Sequence, residues 1–427
     1  MSAAWRIPAR RTAGRLPVVA VRLVAALALT AAGAVPAASA RAATPALDGG
    51  VSTALPGRDT VLLPVLASAL ADKAPCAAAS KQVATAVPWE QRTLALARTW
   101  PLTEGAGVTV AVVDTGVSTA APALAGRVTA LGTAGEDCVG HGTFVASLIA
   151  AGPVKGVGFA GVAPRARVLA VSGTGPRGGA TAPAVAAGIR AAVDAGARVL
   201  TVSAAFPARD KAVGDAVAYA RSRDVVVVAP AVPDAAPTPP PGAATADPVP
   251  RAYWPAAEPG VLAVVDVDVK GARPRGALLP LDADLAAPGR GVIGSGPSGT
   301  GHYIGSGASL AAGYTAGAAA LVRAAYPGLD AAGVAARLTA TAYPADVPRL
   351  DPYAAVSAVG TTGPVAGPAI PAAGPVTLPD TSAAERAGLR GRLLAAGAAA
   401  VLLAVVWAAA VARARRSRGA PASDPVP

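Results

Sequence analysis

The chain has 427 residues, of which 53% are hydrophobic and 15% charged, and its formal net charge is +12 at pH 7. This length accommodates two or three domains, and so basic a chain would first suggest a nucleic-acid partner. However, five arginines lie within the first 22 residues and four within 413–418, and no basic face interleaved with aromatic residues accompanies them. The composition therefore gives no support to nucleic-acid binding.

The first 40 residues have the three parts of an export signal. Arginines precede the uncharged run LVAALALTAAGAV, and Ala38-Ser39-Ala40 forms a small-x-small cleavage pattern. The run of 13 residues is short for a membrane span, so a cleaved signal ending near Ala40 is favoured over an uncleaved anchor. We predict a signal peptide at 1–40, followed by an Ala/Pro-rich N-terminal extension at 41–98.

Two cysteines occur in the sequence, Cys76 in the extension and Cys138 beyond it. An exported chain enters an oxidising compartment, so we predict a disulfide between them; two reduced thiols are the alternative. The bond would close a loop of about 62 residues and stabilise the fold by about 4 kcal/mol. A zinc site is not expected, because no second Cys or His lies at ligand spacing.

Residues 99–358 alternate short apolar runs with helical patterns. The runs are VTVAVV (108–113), ARVLAVS (166–172), ARVLTVSA (197–204), VVVVA (225–229) and VLAVVDVD (261–268), with helical segments at 181–196 and 210–223. Continuous apolar runs separated by helices are typical of a parallel sheet that is buried on both faces. We predict an α/β domain with a doubly wound, mostly parallel sheet and helices on both faces.

Proline-rich segments and a second apolar run follow. PDAAPTPPPGAATADPVP at 233–250 predicts a surface loop, and the Pro/Gly-rich segment at 359–392 predicts a linker. The twenty uncharged residues 393–412 fit one transmembrane helix, although their alanine content leaves a buried core helix as the alternative. The arginines beyond them favour a cytoplasmic tail at 413–427, which would place the α/β domain outside the cell membrane.

Three polar residues lie in glycine-rich junctions of the α/β domain. Asp114 ends a strand in VVDTGVS, His141 precedes a helix in DCVGHGTFVAS, and Ser309 begins a helix in IGSGASLAAG. An aspartate at a strand end, a general base and a nucleophile beside helix N–H groups would form a hydrolytic site. Taken singly, they are equally consistent with a turn residue, a structural histidine and an N-cap. Nearby His302 and Ser306 are expected in a loop, with Ser306 the alternative nucleophile.

The three junctions resemble a known family. VAVVDTGV, GHGTFVAS and SGASLAAGYTAGAAALV are similar, in this order, to the active-site blocks of the subtilisin-like serine proteases. The resemblance covers about 99–345 and implies that Asp114 orients the imidazole, His141 is the general base and Ser309 the nucleophile. It also implies a peptide or protein substrate whose extended backbone pairs beside Ser172 and Gly173 on one side and beside Ser203 and Ala204 on the other.

The whole layout is similar to the mycosins, the membrane-anchored subtilases of bacterial type VII secretion. The shared features are an export signal, an extension with one cysteine, a second cysteine in DCVGHGT, a linker and a C-terminal apolar run. This resemblance implies an extension that wraps the domain, a Cys76–Cys138 bond and a place in the type VII secretion complex.

A dinucleotide site is the competing interpretation of one segment. Gly173–Gly178 reads GxGxxG after a strand, but the acidic residue expected at the end of the next strand is absent. We therefore expect no cofactor. No acidic cluster resembles a calcium loop, so we expect no metal ion either.

One part of the family pattern is missing. Subtilases commonly carry an asparagine after the VVVVA strand that donates to the oxyanion, whereas this chain contains no asparagine. Ungapped alignment places Pro233 there with Asp234 next, and Asp234 could donate only if its carboxyl stayed protonated. Loss of this donor lowers turnover by about 10²–10³ in a subtilisin. Two hypotheses follow: an attenuated or selective serine endopeptidase, and an inactive scaffold with the subtilase fold.

Overall fold

The computed structural model describes residues 62–234, 249–273, 276–359 and 382–417. The predicted signal peptide, the start of the extension and most of the proline-rich loop fall outside the described residues. Most of the predicted linker and the end of the predicted tail fall outside them as well.

Within the described residues, seven strands form one parallel sheet in the order β2-β3-β1-β4-β5-β6-β7. They are β1 (Thr109–Asp114), β2 (Val128–Ala130), β3 (Arg167–Ser172), β4 (Val199–Val202), β5 (Val226–Pro230), β6 (Val261–Val267) and β7 (Leu285–Pro288). Strand β1 pairs with β3 on one side and with β4 on the other; the chain forms β2 and β3 on the first side before it crosses to β4, so the strand order reverses at β1. Open α/β sheets bind ligands at the carboxyl ends of the strands beside such a reversal.

The apolar runs are continuous because both faces of the sheet are buried. Along β1, Val110 and Val112 belong to one hydrophobic core, whereas Ala111 and Val113 belong to the core on the opposite face. Side chains alternate between faces along a strand, so a strand covered on both sides has no polar positions. The prediction of a doubly wound parallel sheet is therefore confirmed.

Helices cover both faces. They are α1 (Trp89–Thr93), α2 (Leu96–Thr99), α3 (His141–Ala150), α4 (Ala182–Asp194), α5 (Lys211–Ser222), α6 (Ala308–Ala325), α7 (Ala331–Ala340), α8 (Pro352–Ser357) and α9 (Ser382–Ser417). Helices α3 and α6 pack together in one core, and α4 and α5 in the other. The Asp210 side chain accepts N–H groups of the first turn of α5, as an N-cap aspartate does. Helix α6 is buried from Ala308 to Arg323 and packs against strands β4 to β7 of the sheet.

An antiparallel hairpin lies beside the main sheet, formed by β8 (Arg290–Ser295) and β9 (His302–Ser306). The prediction that His302 and Ser306 lie in a loop is wrong. His302 is buried and accepts the backbone N–H of Ala84 through Nδ1, and Ser306 Oγ accepts the N–H of Gly291. Both residues lie in strand β9 instead. Strand pairing satisfies the backbone N–H and C=O groups of this glycine-rich segment, which a buried loop would leave unpaired.

The extension runs along this hairpin and enters the core. Leu66 donates its N–H to Ile304 of β9, and Ile304 in turn donates to Pro64. Leu94 and Leu96 are buried in the same core as α3 and α6. The predicted boundary at 99 is the last residue of α2, so at least the described part of the extension packs as an integral part of the domain.

The predicted disulfide between Cys76 and Cys138 is present, with an S–S distance of 2.07 Å. It joins the extension to the loop that leads into α3. The Arg177 guanidinium adds a second connection at the same place, because it donates to the carbonyl oxygens of Ala71 and Ala74 at 2.6 and 2.7 Å. The extension is thus tied covalently and by hydrogen bonds to the edge of the sheet that carries the candidate site.

Helix α9 covers the predicted transmembrane segment and begins at Ser382, inside the predicted linker. Its apolar side chains are widely exposed; Leu394, Val401, Leu402, Leu403, Val405, Val406 and Trp407 are 60–75% accessible. Among the helices that the structure describes, none meets both the length and the apolar composition needed to cross a membrane.

Candidate active site

Asp114 lies at the carboxyl end of β1, the strand at which the sheet order reverses, and is 1% exposed. Three neighbours form hydrogen bonds with its carboxylate. The Thr115 N–H donates to Oδ1 at 2.6 Å, the Ser203 hydroxyl donates to Oδ2 in a short bond, and both oxygens contact His141 Nδ1. A buried carboxylate needs such partners, because an unpaired buried charge is strongly unfavourable.

His141 is the first residue of α3 and is also buried. Gly140 before it has φ 88°, a left-handed conformation that glycine adopts without strain, and this turn carries the chain into the helix. Asp137 holds the turn: Oδ1 accepts the N–H of Gly140 at 2.7 Å, and Oδ2 accepts the N–H and hydroxyl of Thr143 at 2.8 and 2.7 Å. The helix N-terminus, and with it the imidazole, is therefore fixed in place.

Ser309 lies in the first turn of α6 and is fully buried. The glycine before the helix, Gly307, donates its N–H to the carbonyl oxygen of Gly289 at 2.7 Å, which anchors the start of α6 to the end of β7. The turn brings the Ser309 hydroxyl to His141, although the two residues are 168 positions apart in the sequence.

The three predicted catalytic residues form one hydrogen-bonded chain. Asp114 Oδ2 lies 2.9 Å and Oδ1 3.0 Å from His141 Nδ1, and His141 Nε2 lies 3.0 Å from Ser309 Oγ. In this arrangement the carboxylate fixes the imidazole with Nδ1 protonated, which leaves Nε2 to take a proton from the serine. The geometry is that of a nucleophile with an oriented general base.

The charges of this chain shift both ionisable groups. Burial alone would raise the pKa of Asp114, but the charge and hydrogen bond of His141 and the Ser203 hydroxyl hold that pKa below its ordinary value. Burial alone would lower the pKa of His141, but Asp114, and then Asp234, raise it well above the ordinary value for histidine. The imidazolium form of His141 therefore persists to higher pH than that of a free histidine.

Asp234 is the unexpected member of the site. Its Oδ1 accepts the backbone N–H of Ser309 at 2.9 Å, its Oδ2 lies 2.6 Å from Ser309 Oγ, and Oδ2 is also 3.4 Å from His141 Nε2. The side chain is only 12% exposed. Pro233, which ungapped alignment puts at the asparagine position, has no side-chain donor, and the Asp234 carboxyl makes the contact with the nucleophile instead.

The residues predicted to bind substrate all lie at the same edge of the sheet. Ser172 ends β3 and is exposed, and Gly173 after it donates its N–H to the carbonyl oxygen of Asp114 at 2.8 Å. Ser203 and Ala204 follow β4 and are partly buried. They flank the catalytic chain on both sides, but the Ser203 side chain binds Asp114.

Sequence reasoning missed the contacts of Asp137 and of the Ser203 hydroxyl, and it considered Asp234 only as a possible donor, whereas the Asp234 carboxyl accepts the Ser309 N–H. A sequence signal exists for the first, since Asp137 lies in the glycine-containing turn just before the predicted helix, where a short acidic side chain commonly accepts nearby backbone N–H groups. The other two depend on residues brought together across the sheet, at separations of 89 and 75 positions. Periodicity and local motifs contain no information on such pairs.

Comparison with known proteins places this geometry in a family context. Residues 105–373 match the subtilase family. The chain is similar to Mycosin-3 of Mycobacterium tuberculosis (strain ATCC 25618 / H37Rv), with 33% identity over 393 residues that cover 77% of this chain and 84% of that protein.

Solved structures extend the similarity to the fold. A MycP3 protease from the type VII (ESX-3) secretion system superposes with a TM-score of 0.57 and 31% identity, covering 67% of this chain and 93% of that one. A chain of the periplasmic assembly from the ESX-5 inner membrane complex has a TM-score of 0.60 and 26% identity, covering 74% of this chain and 94% of its own.

Proposed function

Because the chain belongs to the subtilase family of serine endopeptidases and is mycosin-like within it, we propose that Asp114, His141 and Ser309 form its catalytic triad. The observation that carries the proposal is the unbroken hydrogen-bonded chain from the buried carboxylate through both imidazole nitrogens to the serine hydroxyl. The substrate would be a peptide segment bound in extended form along the edge formed by Ser172–Gly173 and Ser203–Ala204.

The triad would act by covalent catalysis. Ser309 Oγ attacks the carbonyl carbon of the peptide bond while its proton passes to His141 Nε2, and the carbonyl oxygen takes the negative charge. The C–N bond then breaks as His141 returns that proton to the departing amine. Water, activated by the same imidazole, hydrolyses the acyl-enzyme and regenerates the serine. Asp114 keeps its charge throughout and stabilises the imidazolium.

We propose that the enzyme is attenuated at the oxyanion. The Ser309 N–H is the backbone donor expected for the developing charge, and in the resting site it is occupied by Asp234 Oδ1. No asparagine is available to supply a side-chain donor. Loss of one such donor lowers turnover by about 10²–10³, so the intact triad predicts slow hydrolysis.

An inactive scaffold is the second candidate, and the Asp234 contact is the observation that favours it. A carboxylate on both the N–H and the hydroxyl of Ser309 opposes oxyanion formation by charge repulsion. A subtilase fold that has lost turnover could still serve as a docking component, because fold does not determine function.

We propose further that the domain acts on the outer side of the cell membrane, anchored through 393–412, within a type VII secretion complex. The uncharged run and the exposed apolar side chains of α9 support the anchor. Similarity to a chain of the ESX-5 inner membrane assembly supports the complex.

Labelling with a serine-directed fluorophosphonate separates enzyme from scaffold. The full-length chain, solubilised in detergent, should react; Ser309→Ala should abolish labelling, and Ser306→Ala, a matched serine change three residues away, should not. Unchanged labelling of Ser309→Ala would contradict the triad, and no labelling of any variant would favour the scaffold. The anchor is tested separately by fractionating the cells that express the chain. If 393–412 spans the membrane, the chain should stay in the membrane fraction after extraction with alkaline carbonate.

A further inference from the structure

The Asp234 carboxyl occupies two positions that a serine protease needs to keep free. Oδ1 binds the Ser309 N–H, which should serve the oxyanion, and Oδ2 lies 2.6 Å from the Ser309 hydroxyl, which should serve the imidazole. Gly307 leaves room for this carboxyl, because a Cβ at that position would lie 2.4 Å from its atoms. The carboxyl thus occupies the position beside the Ser309 N–H that the oxyanion would take.

The Ser309 hydroxyl has one proton and two acceptors within reach. Oδ2 of Asp234 lies at 2.6 Å and His141 Nε2 at 3.0 Å. A hydroxyl donates a single hydrogen bond at a time, so an ionised Asp234 competes with His141 for it. The His141 pKa is raised well above its ordinary value by Asp114 and Asp234, which also favours an imidazolium that cannot accept the proton.

We propose that Asp234 is a catalytic residue that acts as a carboxylic acid: ionised, it holds Ser309 inactive, and protonated, it releases the hydroxyl and donates to the oxyanion. This inference rests on the proposed triad. It assigns to one side chain both the attenuation of the site and the missing oxyanion donor. A buried carboxylic acid kept neutral can donate in this way, as an oxyanion-hole aspartic acid does in ketosteroid isomerase.

The charged groups around Asp234 come from four elements. His141 on α3 faces it at 3.4 Å, with Asp114 on β1 behind the imidazole. On β6, Asp266 is close enough for the charge of Asp234 to raise the Asp266 pKa, which burial already raises. Arg273, and Arg290 on β8, pair with Asp266 at 3.7 and 3.4 Å and offset part of its charge.

The active form in this proposal carries one proton between Asp234 and His141, and that proton lies on Asp234. It is the minority arrangement, because the raised pKa of His141 favours the proton on the imidazole. Ser309 Oγ then bonds to the carbonyl carbon, its proton moves to Nε2, and the electron pair of the carbonyl moves to oxygen. That oxygen accepts hydrogen bonds from the Ser309 N–H and the Asp234 carboxyl, and Asp234 keeps its proton. When the tetrahedral intermediate collapses, the C–N bond breaks and the Nε2 proton leaves with the amine.

The shared proton predicts an unusual pH profile. A triad with a neutral oxyanion donor gains activity as its histidine loses a proton and then stays active at higher pH. Here the alkaline form has lost the proton from both groups, which leaves a carboxylate on the nucleophile. Activity should therefore decline on the alkaline side, whereas the variant Asp234→Asn, with a neutral amide donor, should rise and remain level.

The test compares rates of fluorophosphonate labelling across pH for the full-length chain and two variants. Asp234→Asn removes the acceptor and supplies a donor, so we expect labelling about a hundredfold faster at alkaline pH, the scale of one oxyanion donor. Asp234→Ala removes the acceptor without supplying a donor. Its labelling rate at alkaline pH should lie between those of the wild type and Asp234→Asn, without an alkaline decline. Asp215→Asn makes the same change at an exposed aspartate on α5 and should leave the rate and profile unchanged.

The outcomes separate the inference from the function on which it rests. An alkaline decline in the wild type, absent from both Asp234 variants, supports the inference. A wild-type profile parallel to that of Asp234→Asn, or an Asp234→Asn rate no higher than wild type in a chain with unchanged melting temperature, overturns it while the triad stands. If Ser309→Ala does not abolish labelling, either in the wild type or in the Asp234 variants, the proposed function is overturned as well.

Discussion

The two halves of the proposed active site differ in how their key side chains are held. On the base side, Asp114 and His141 are supported by groups that keep them in a productive geometry, among them the Ser203 hydroxyl and the Asp137 turn. On the nucleophile side, Ser309 is held by Asp234, a group that opposes its reaction when ionised.

This contrast shows which part of a serine protease site can change while the fold is kept. The base side is built by β1 and by the turn before α3, whose buried polar groups need one another and are costly to alter. The oxyanion side depends on one loop after β5 that approaches α6 from elsewhere in the chain. A substitution of Asp234 in that loop changes a side chain outside the hydrophobic cores, so we expect it to alter the chemistry more than the fold.

Breaking the base side should have the largest effect. Asp114→Asn keeps the shape but favours the wrong imidazole tautomer, so we expect labelling of Ser309 to slow by about 10⁴. The rate of fluorophosphonate labelling measures this directly. Ser203→Ala is the matched control, since it removes one hydrogen bond to the same carboxylate and should slow labelling far less. Equal losses in both variants would mean that Asp114 acts only through its packing.

Removing the disulfide measures how much this covalent bond stabilises the base side of the site. Replacing both Cys76 and Cys138 with serine should lower the free energy of unfolding by about 4 kcal/mol, because the bond closes a loop with a sequence separation of 62. Denaturant titration of the solubilised chain measures the change. Arg177→Ala removes the neighbouring hydrogen bonds to Ala71 and Ala74 and should cost clearly less. The reverse ranking would show that the hydrogen bonds hold the extension.

Glu90 sharpens the comparison on the nucleophile side, because it is buried beside Tyr314 of α6 and accepts the Ile293 N–H at 2.8 Å. Burial raises its pKa from 4.5 to about 7. An acid whose folded-state pKa is raised contributes stability that is present in full below pH 4.5 and is lost as pH rises through about 7. The loss is about 3 kcal/mol, at roughly 1.4 kcal/mol for each pKa unit.

The matching experiment follows the free energy of unfolding between pH 4.5 and 8. Glu90→Gln stays neutral, so its stability relative to the wild type should increase by about 3 kcal/mol over this range. Glu136→Gln, the same substitution at an exposed position, should run parallel to the wild type. A constant difference between Glu90→Gln and the wild type would show that burial does not raise the pKa of Glu90.

The strands and the catalytic order were accessible from the sequence because both depend on local patterns. Runs such as VTVAVV and VLAVVDVD predicted β1 and β6 within one residue at each end, since strands buried on both faces contain no polar positions. The hairpin of β8 and β9 was missed, because its glycine-rich segments lack such a run and become strands only by pairing with each other and with the extension.

By itself, the sequence determined the parallel α/β class, the order Asp114, His141, Ser309 and the only possible pairing of two cysteines. The tertiary structure alone decided that a hydroxyl from β4's end binds Asp114 and that the Asp234 carboxyl, rather than Pro233, meets the nucleophile. The physical reason is that periodicity records whether a residue is buried, but not which distant group it meets there. A polar contact over 75 positions exists only once the sheet and α6 have packed.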